Sequence, residues 1–321
     1  MKRKLTRLNK KENNRTRQKP KVLNMKSYTI KWHNHQLDLG FPPLIMGILN
    51  ITPDSFSDGG QFFTPQTAIA HAQQMVDQGA HIIDIGGEST RPFADPVPAD
   101  QEIARVVPVI SELNKHISVP ISIDTSKAVV AKAALEAGAS IVNDISALGD
   151  PGMGAVVRDA HVPLILMHMK GTPQTMQISP EYDNIIDEIY DTLNVSIEKA
   201  VESGISRELI IVDPGIGFGK SVGDNFTIIQ HLNSFHGLGV PLLIGTSRKS
   251  FIQKALDIHP DYLNYSEAIE CGTMVTITMS ALAGAHIVRV HNVYQTRITL
   301  TLLNSLTGDQ LSGCQKKSDE K

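Results

Sequence analysis

The chain has 321 residues, a formal net charge of −3 and 41% hydrophobic content, enough to bury one large core or two ordinary ones. No apolar run approaches the roughly 20 residues a membrane-spanning helix requires, and residues 1–27 hold no apolar segment resembling a secretory signal. Cys271 lies in an apolar helical context and Cys314 in a polar tail, so a buried thiol and a free one are expected, with no disulfide and a cytoplasmic location.

The charge is unevenly spread. Residues 1–26 hold eleven Lys or Arg against Glu12 alone, a balance of +10, which leaves 19 basic and 32 acidic residues, or −13, for the rest. Almost without hydrophobic residues, the head 1–27 is expected to be a disordered basic extension. A solvated extension, a start at Met25, a targeting peptide, or a tether to nucleic acid or a membrane surface are all open readings of it. The acidic remainder argues against nucleic acid or membrane as a partner of the body of the protein.

Beyond the head, Tyr28–Leu39 alternates around His33-Asn34-His35 and predicts a β-hairpin that closes the floor of the main fold. Eight short apolar runs then read as strands: Leu44–Leu49, His81–Ile85, Pro120–Ile123, Ser140–Val142, Pro163–Met167, Leu209–Val212, Pro241–Ile244 and Ala285–Val290. Each is followed by a segment of helical period. Ile103, Val106, Val107, Ile110 and Leu113 mark one apolar stripe, with Pro108 inside it. Ile186, Ile189, Leu193 and Ile197 mark another. Gly79-Ala80, Gly138-Ala139, Gly204-Ile205 and Gly284-Ala285 suit helix C-caps turning back into strands. Eight β-then-α repeats, with no glycine-rich fingerprint after the first strand, predict an α/β fold: a single-domain (β/α)8 TIM barrel over residues 28–310, ending in a polar tail, 311–321.

In such a barrel the chemistry sits where the strands end. Those ends read Asn50 and Asp54; Asp84 with Gly86-Gly87-Glu88-Ser89-Thr90-Arg91-Pro92; Asp124-Thr125-Ser126; and Asn143-Asp144. His168-Met169-Lys170, Asp213 through Lys220, Thr246-Ser247-Arg248-Lys249-Ser250 and Arg289-Val290-His291-Asn292 complete the ring. Asp124, Asn143 and Asp213 form an acceptor-rich rim suited to a flat heterocycle bearing N–H donors. Arg91, Arg248, Lys249, Arg289 and His291 are a cationic half suited to phosphates or a carboxylate. Asn50, with Asp54, offers hard oxygen ligands for Mg²⁺. Asp84 reads equally as a structural hydrogen-bonder, and His168 as strand-end packing. Gly215, Gly217 and Gly219 read as a turn rather than a phosphate cradle.

These residues at these positions resemble the dihydropteroate synthase family of folate biosynthesis. Its two signature stretches stand here as GILNITPDSFSDGG (47–60) and GAHIIDIGGESTRP (79–92). The likeness continues through SIDTSK (122–127), IVNDIS (141–146), LMHMKGTPQTMQ (166–177), DPGIGFGKS (213–221), TSRKSF (246–251) and RVH (289–291). The resemblance implies a transferase that condenses (7,8-dihydropterin-6-yl)methyl diphosphate with p-aminobenzoate, giving 7,8-dihydropteroate and pyrophosphate. It places the pterin diphosphate among Thr90, Asp124, Asn143, Met167, Asp213, Phe218, Lys249, Arg289 and His291, with Mg²⁺ bridging Asn50 to the diphosphate. It places p-aminobenzoate, or a sulfonamide inhibitor in its stead, against Phe56, Arg91, Pro92, Phe218 and Ser250. Catalytic roles fall to Asp124, Lys249, Arg289 and Asp54. Loops at Gly59-Gly60 and Gly86-Gly87 are expected to close over the site, and a homodimer is expected through the late helices.

Three departures from the family pattern stand out: Asn292 where an aspartate is usual, Phe93 where glycine is common, and a helix over Glu267–Met279 without the usual alanine-rich run. Two other readings compete. A pterin-binding methyltransferase of the same superfamily would not need the SFSDGG, STRP and RKS elements. A catalytically dead, pterin-binding scaffold would not need Asp124, Asn143, Asp213, Lys249, Arg289 and His291 together.

Overall fold

Tyr28–Trp32 (β1) and His35–Leu39 (β2) alternate buried and exposed side chains and pair antiparallel about a turn at His33, where φ is 45°. The inward set, Ile30, Trp32, Leu37 and Leu39, is buried in the main core. His286, just before the last strand, ties this hairpin to the N-terminal end of the sheet. Its Nε2 meets the Lys26 carbonyl at 2.8 Å, and its ring stands edge-on to Tyr28 at 5.1 Å. The hairpin is a floor, as its alternation predicts.

The computed structural model describes residues 25–52, 65–90, 94–172, 174–176 and 180–307. Asp54, Phe56, Gly59-Gly60, Arg91, Pro92, Phe93, Cys314 and the head up to residue 24 lie outside them.

Eight parallel strands come after the hairpin: Leu44–Asn50 (β3), Ile82–Gly86 (β4), Ile121–Asp124 (β5), Ile141–Asp144 (β6), Leu164–Met167 (β7), Ile210–Asp213 (β8), Leu243–Ile244 (β9) and Ile287–Val290 (β10). Their hydrogen-bonded order is β8-β7-β6-β5-β4-β3-β10-β9, and a parallel bridge from Val212 to Leu242 joins the two ends. The sheet is thereby a closed barrel without edges. Strands such as β4 and β7 are buried along their whole length because helices cover one face and the barrel interior the other. Fully buried Ile82, Ile83 and Ile85 each contribute roughly 1.5–3 kcal/mol by leaving water.

Among the described residues the covering helices are Pro65–Asp77 (α1), Ala99–Leu113 (α2), Ala128–Glu136 (α3), Met153–Ala160 (α4), Ile185–Glu202 (α5), Val222–Gln230 (α6), Ser250–Leu256 (α7), Tyr265–Leu282 (α8) and Val293–Thr307 (α9). In α2 the stripe Val106, Val109, Ile110 and Leu113 faces inward, and the helix runs through Pro108 because that proline sits on the solvent side. In α5, Ile189, Leu193 and Ile197 are fully buried.

The four glycine pairs end helices α1, α3, α5 and α8 in one way. Gly79, Gly138, Gly204 and Gly284 take φ of 104°, 117°, 89° and 98°. The residue after each donates its N–H to a carbonyl five positions back, as in Ala80 to Met75 and Ala139 to Ala134, both at 2.9 Å. A left-handed φ is cheap for glycine alone.

One expectation is overturned on the outer surface. Cys271 is free and exposed on α8, not buried: the helix turns it to the same side as exposed Val275 and Met279, one and two turns on. No helix of the described residues is long and apolar enough to cross a membrane.

Candidate active site

Strand register sets the first row of the site. Asn50 on β3 lies beside Gly86 on β4, Gly86 beside Asp124 on β5, and Asp124 beside Asn143 on β6. Gly86 leaves this row open: a Cβ there would stand 3.5 Å from the Asp124 Cβ and 3.8 Å from the Asn50 amide oxygen. Around the barrel, Met167 ends β7 beside Asp213, which ends β8.

Asp84, two residues below Gly86 and fully buried, organises the row. Its Oδ2 accepts from Arg289 Nε at 2.6 Å and from Asn143 Nδ2 at 3.1 Å. Arg289 reaches from β10 past β3 and uses its Nη2 to hold Asp124 Oδ2 at 2.6 Å. One guanidinium thus binds two carboxylates, which leaves one net negative charge when both are ionised. Among the described residues, Asp84 Oδ1 and Asp124 Oδ1 have no hydrogen-bond partner although both are buried. Buried carboxylate oxygens without donors are costly, and a ligand bearing N–H groups satisfies them.

Burial governs how the cluster titrates. Opposed by Arg289 and reinforced by Asp84, it pushes the Asp124 carboxyl up to about 7. Burial also raises Asp213, whose Oδ1 accepts from the Gly215 N–H at 2.7 Å. Lys249 is brought down to about 8 by burial and by Arg289, against the pull of Asp213 and Asp124. Arg289 is held charged: burial works against it, and the Asp84 and Asp124 carboxylates more than offset that.

An apolar wall faces this charged row. Ile145, Met167, Met176 and Phe218 form a small cluster separate from the main core. Lys249 Nζ lies 4.0 Å above the Phe218 ring, and its stem crosses Gly217, whose Cβ would stand 3.2 Å from the lysine Cδ. The run Gly215, Gly217, Gly219 adopts φ of 72°, 83° and 66°, and a Cβ on Gly215 would overlap the His168 carbonyl oxygen at 1.9 Å. The three glycines therefore make a tight turn packed on β7, in agreement with the turn expected from the sequence.

Lys220 fastens that turn. Its buried Nζ is 2.9 Å from His168 Nδ1, 2.9 Å from the Phe218 carbonyl and 3.4 Å from the His168 carbonyl, three acceptors for three protons. Burial and Lys220 push the His168 imidazole down to about 3, so its Nδ1 stays available as an acceptor. His168 is a strand-end anchor.

The other expected residues are spread around the mouth. His291 Nδ1 lies 3.0 Å from the Ser247 hydroxyl, which also accepts the His291 N–H. Thr90 lines a cavity of about 490 Å³ together with Glu88, Lys127, Ile145 and Met167, a volume suited to a small ligand. Ser250 opens α7 directly after Lys249. Asn292 accepts the Gln295 N–H at 3.0 Å, so it caps α9 as an aspartate would.

Arg248 is paired outside the Asp84–Arg289–Asp124 network: its guanidinium, nearly half exposed, is held by Glu270 at 2.5 Å. Gly87 is packed so closely on α2 that a Cβ would meet Val106 at 2.8 Å. Lys220 has no assigned role on sequence grounds, and Asp84, open there to a structural or a substrate-contacting reading, takes up hydrogen bonds from Arg289 and Asn143. The signal for Asp84 is a lone carboxylate inside the apolar run Ile82–Ile85, which burial obliges to find a cation.

Residues 46–291 match the family described as pterin binding enzyme. The chain is 48% identical over 255 residues to the dihydropteroate synthase of Bacillus subtilis (strain 168), a match spanning 78% of this chain and 84% of that protein. Its fold superposes on the Yersinia pestis dihydropteroate synthase in a sulfonamide drug complex with a TM-score of 0.81 at 40% identity, covering 86% of this chain and 98% of the other. The Xanthomonas albilineans dihydropteroate synthase with 4-aminobenzoic acid gives a TM-score of 0.80 at 40% identity, covering 88% and 98%. A closed barrel whose mouth couples an acidic rim to Arg289 and Lys249, matched over most of its length, makes this chain a member of the dihydropteroate synthase family of transferases.

Proposed function

We propose that the barrel mouth joins (7,8-dihydropterin-6-yl)methyl diphosphate to p-aminobenzoate, releasing pyrophosphate and forming 7,8-dihydropteroate. The observation that carries this reading is the Asp84–Arg289–Asp124 network with Asn143, which leaves buried carboxylate oxygens open to a donor-rich ring. Asp124, Asn143 and Asp213 accept from the pterin nitrogens, and Lys249 donates to its carbonyl. Met167 and Phe218 pack on the ring faces. Thr90, Arg289 and His291 hold the diphosphate. Phe56, Arg91, Pro92, Phe218 and Ser250 receive p-aminobenzoate, and a sulfonamide with the same para-amino aryl end competes for that place.

The bond from the pterin methylene to the diphosphate oxygen breaks, and a bond from the methylene to the arylamine nitrogen forms. Positive charge develops on the methylene and spreads into the ring, where the Asp124 carboxylate stabilises it, while Arg289 stabilises the departing diphosphate. Fixed charges of this kind in a water-poor site supply roughly 3–4 kcal/mol each. The arylamine is neutral before attack, so it needs no base, and the proton it sheds after the C–N bond forms passes to water.

Mg²⁺ fits this site in one way. Among the described residues no three His, Cys, Asp or Glu side chains cluster to cage a cation, so Asn50 would hold the ion jointly with diphosphate oxygens and water. Bound there, it would neutralise charge on the leaving group. Asp54 serves the same corner in this reading.

A second copy of the chain is the proposed partner of the late helices. Tyr294, Ile298, Leu302 and Leu306 are exposed at four-residue spacing on α9, and Val275 and Met279 are exposed on α8, which packs against α9, apolar surface of the kind that dimers cover. Sedimentation showing a monomer at micromolar concentration would refute this pairing. The proposed location is the cytoplasm.

The function is tested by incubating the purified chain with both substrates and Mg²⁺. Dihydropteroate and pyrophosphate should appear in equal amounts, and the folded protein forming neither would end this reading.

A further inference from the structure

The first turn of the loop after β4 is pinned by a charged cluster that the reaction does not use. Lys127, three residues beyond Asp124, places its ammonium 2.6 Å from Glu88 Oε2 and 2.6 Å from Glu102 Oε2. Glu102 is fully buried on α2, and Glu88 and Lys127 are three-quarters buried or more. The second oxygen of Glu88 accepts the Val97 N–H at 2.8 Å, so one side chain bonds both Lys127 and the backbone just before α2. Arg105 Nη1 holds the Gly87 carbonyl at 2.8 Å, and Gly87 itself is packed against Glu102 and Val106. Thr90 lies two residues beyond this anchor and lines the same cavity as Glu88 and Lys127.

We propose that Glu88, Lys127 and Glu102 form an ion-paired latch that positions Thr90 against the leaving diphosphate, with Glu88 as the positioning residue. The proposal rests on the reading that the mouth binds a pterin diphosphate. The physical case has three parts. Glu102 is a buried carboxylate and demands a cation. Lys127 answers it from the loop that also carries Asp124, so the latch is referenced to the catalytic row. Glu88 then transmits that position to the β4 loop through two short hydrogen bonds, which fix the loop more tightly than backbone packing at Gly87 alone. A loop held at its base presents a side chain two residues away with little further loss of freedom, and such preorganisation matters most for the group it contacts.

The discriminating variant is Glu88→Ala, which removes both Glu88 bonds and leaves the buried Lys127–Glu102 pair intact. Two ligands separate the loop from the ring: the full pterin diphosphate, and 6-hydroxymethylpterin, which lacks the diphosphate. The KM for the diphosphate substrate should rise about tenfold, with affinity for 6-hydroxymethylpterin, read by fluorescence, unchanged within about twofold. Glu88→Gln, which keeps an acceptor for Val97, should fall between the wild type and Glu88→Ala. Hydrogen exchange at the Val97 amide should quicken in Glu88→Ala whether or not the enzyme turns over. That readout keeps the latch distinguishable from the reaction: slow exchange in the variant refutes the latch, and an inactive wild type refutes the proposed function. A KM changed less than twofold, or a parallel loss of 6-hydroxymethylpterin affinity, would overturn the positioning role.

Discussion

The two ends of the barrel bury polar groups under opposite rules. At the floor, His286 is fully buried, and both ring nitrogens are used: Nδ1 accepts the Leu242 N–H at 3.0 Å and Nε2 meets the Lys26 carbonyl at 2.8 Å. Burial pushes that imidazole down to about 4, so His286 is neutral at physiological pH. The floor's unpartnered buried groups include the Tyr28 hydroxyl and the Trp32 indole nitrogen, both neutral. At the mouth, among the described residues, the unpartnered atoms include carboxylate oxygens of Asp84 and Asp124. Asp124 is raised above its unfolded value, so its contribution to stability is full below the ordinary carboxylate range and is lost as pH rises through about 7. The floor is built for stability, and the mouth holds charge at a cost that a ligand offsets.

The largest test of this contrast is at the mouth. Lys249→Ala and Asp213→Asn should each lower kcat/KM at least 100-fold, about 2.7 kcal/mol of transition-state stabilisation, with little change in the unfolding midpoint. Near-normal turnover in either would remove the pterin from the acidic rim. At the floor the signature should invert. His286→Ala leaves a buried N–H and carbonyl unpaired and should cost about 2 kcal/mol in denaturant unfolding, with kcat within about twofold of wild type. A large loss of kcat with full stability would erase the distinction between the two ends.

The smallest expected effect sharpens the electrostatics. Asp124 must be ionised and Lys249 protonated, so kcat/KM should rise with pH through about 7 and fall above about 8. Each limb should approach a tenfold change per pH unit. Asp124→Asn should abolish the acid limb of whatever activity survives. An unchanged acid limb in that variant would assign it to another group.

Much of the barrel is legible in the sequence. The eight apolar runs are the eight strands within a residue or two, because a strand buried on both faces needs a short, unbroken apolar run. The four Gly pairs are four left-handed helix ends for a reason equally local: one backbone angle that other residues adopt at a cost. Strand ends, and hence the residues of the mouth, are located once the strands are placed.

Partnership among those residues is not legible there. Asp84 and Arg289 are 205 positions apart, Asp124 and Arg289 are 165 apart, and barrel closure brings them to 2.6 Å. Nothing in the chain order says that Arg289 pairs with Asp84 and Asp124 while Arg248 pairs with Glu270. Lys127 binding Glu88 and Glu102, and Cys271 facing outward on α8, are of the same kind. Local pattern dictates which face of an element is apolar and where that element stops, since those depend on near neighbours. The choice of ion-pair partner depends on distances and burial that exist only when remote strands meet, and those distances set which charges at the mouth remain available for a ligand.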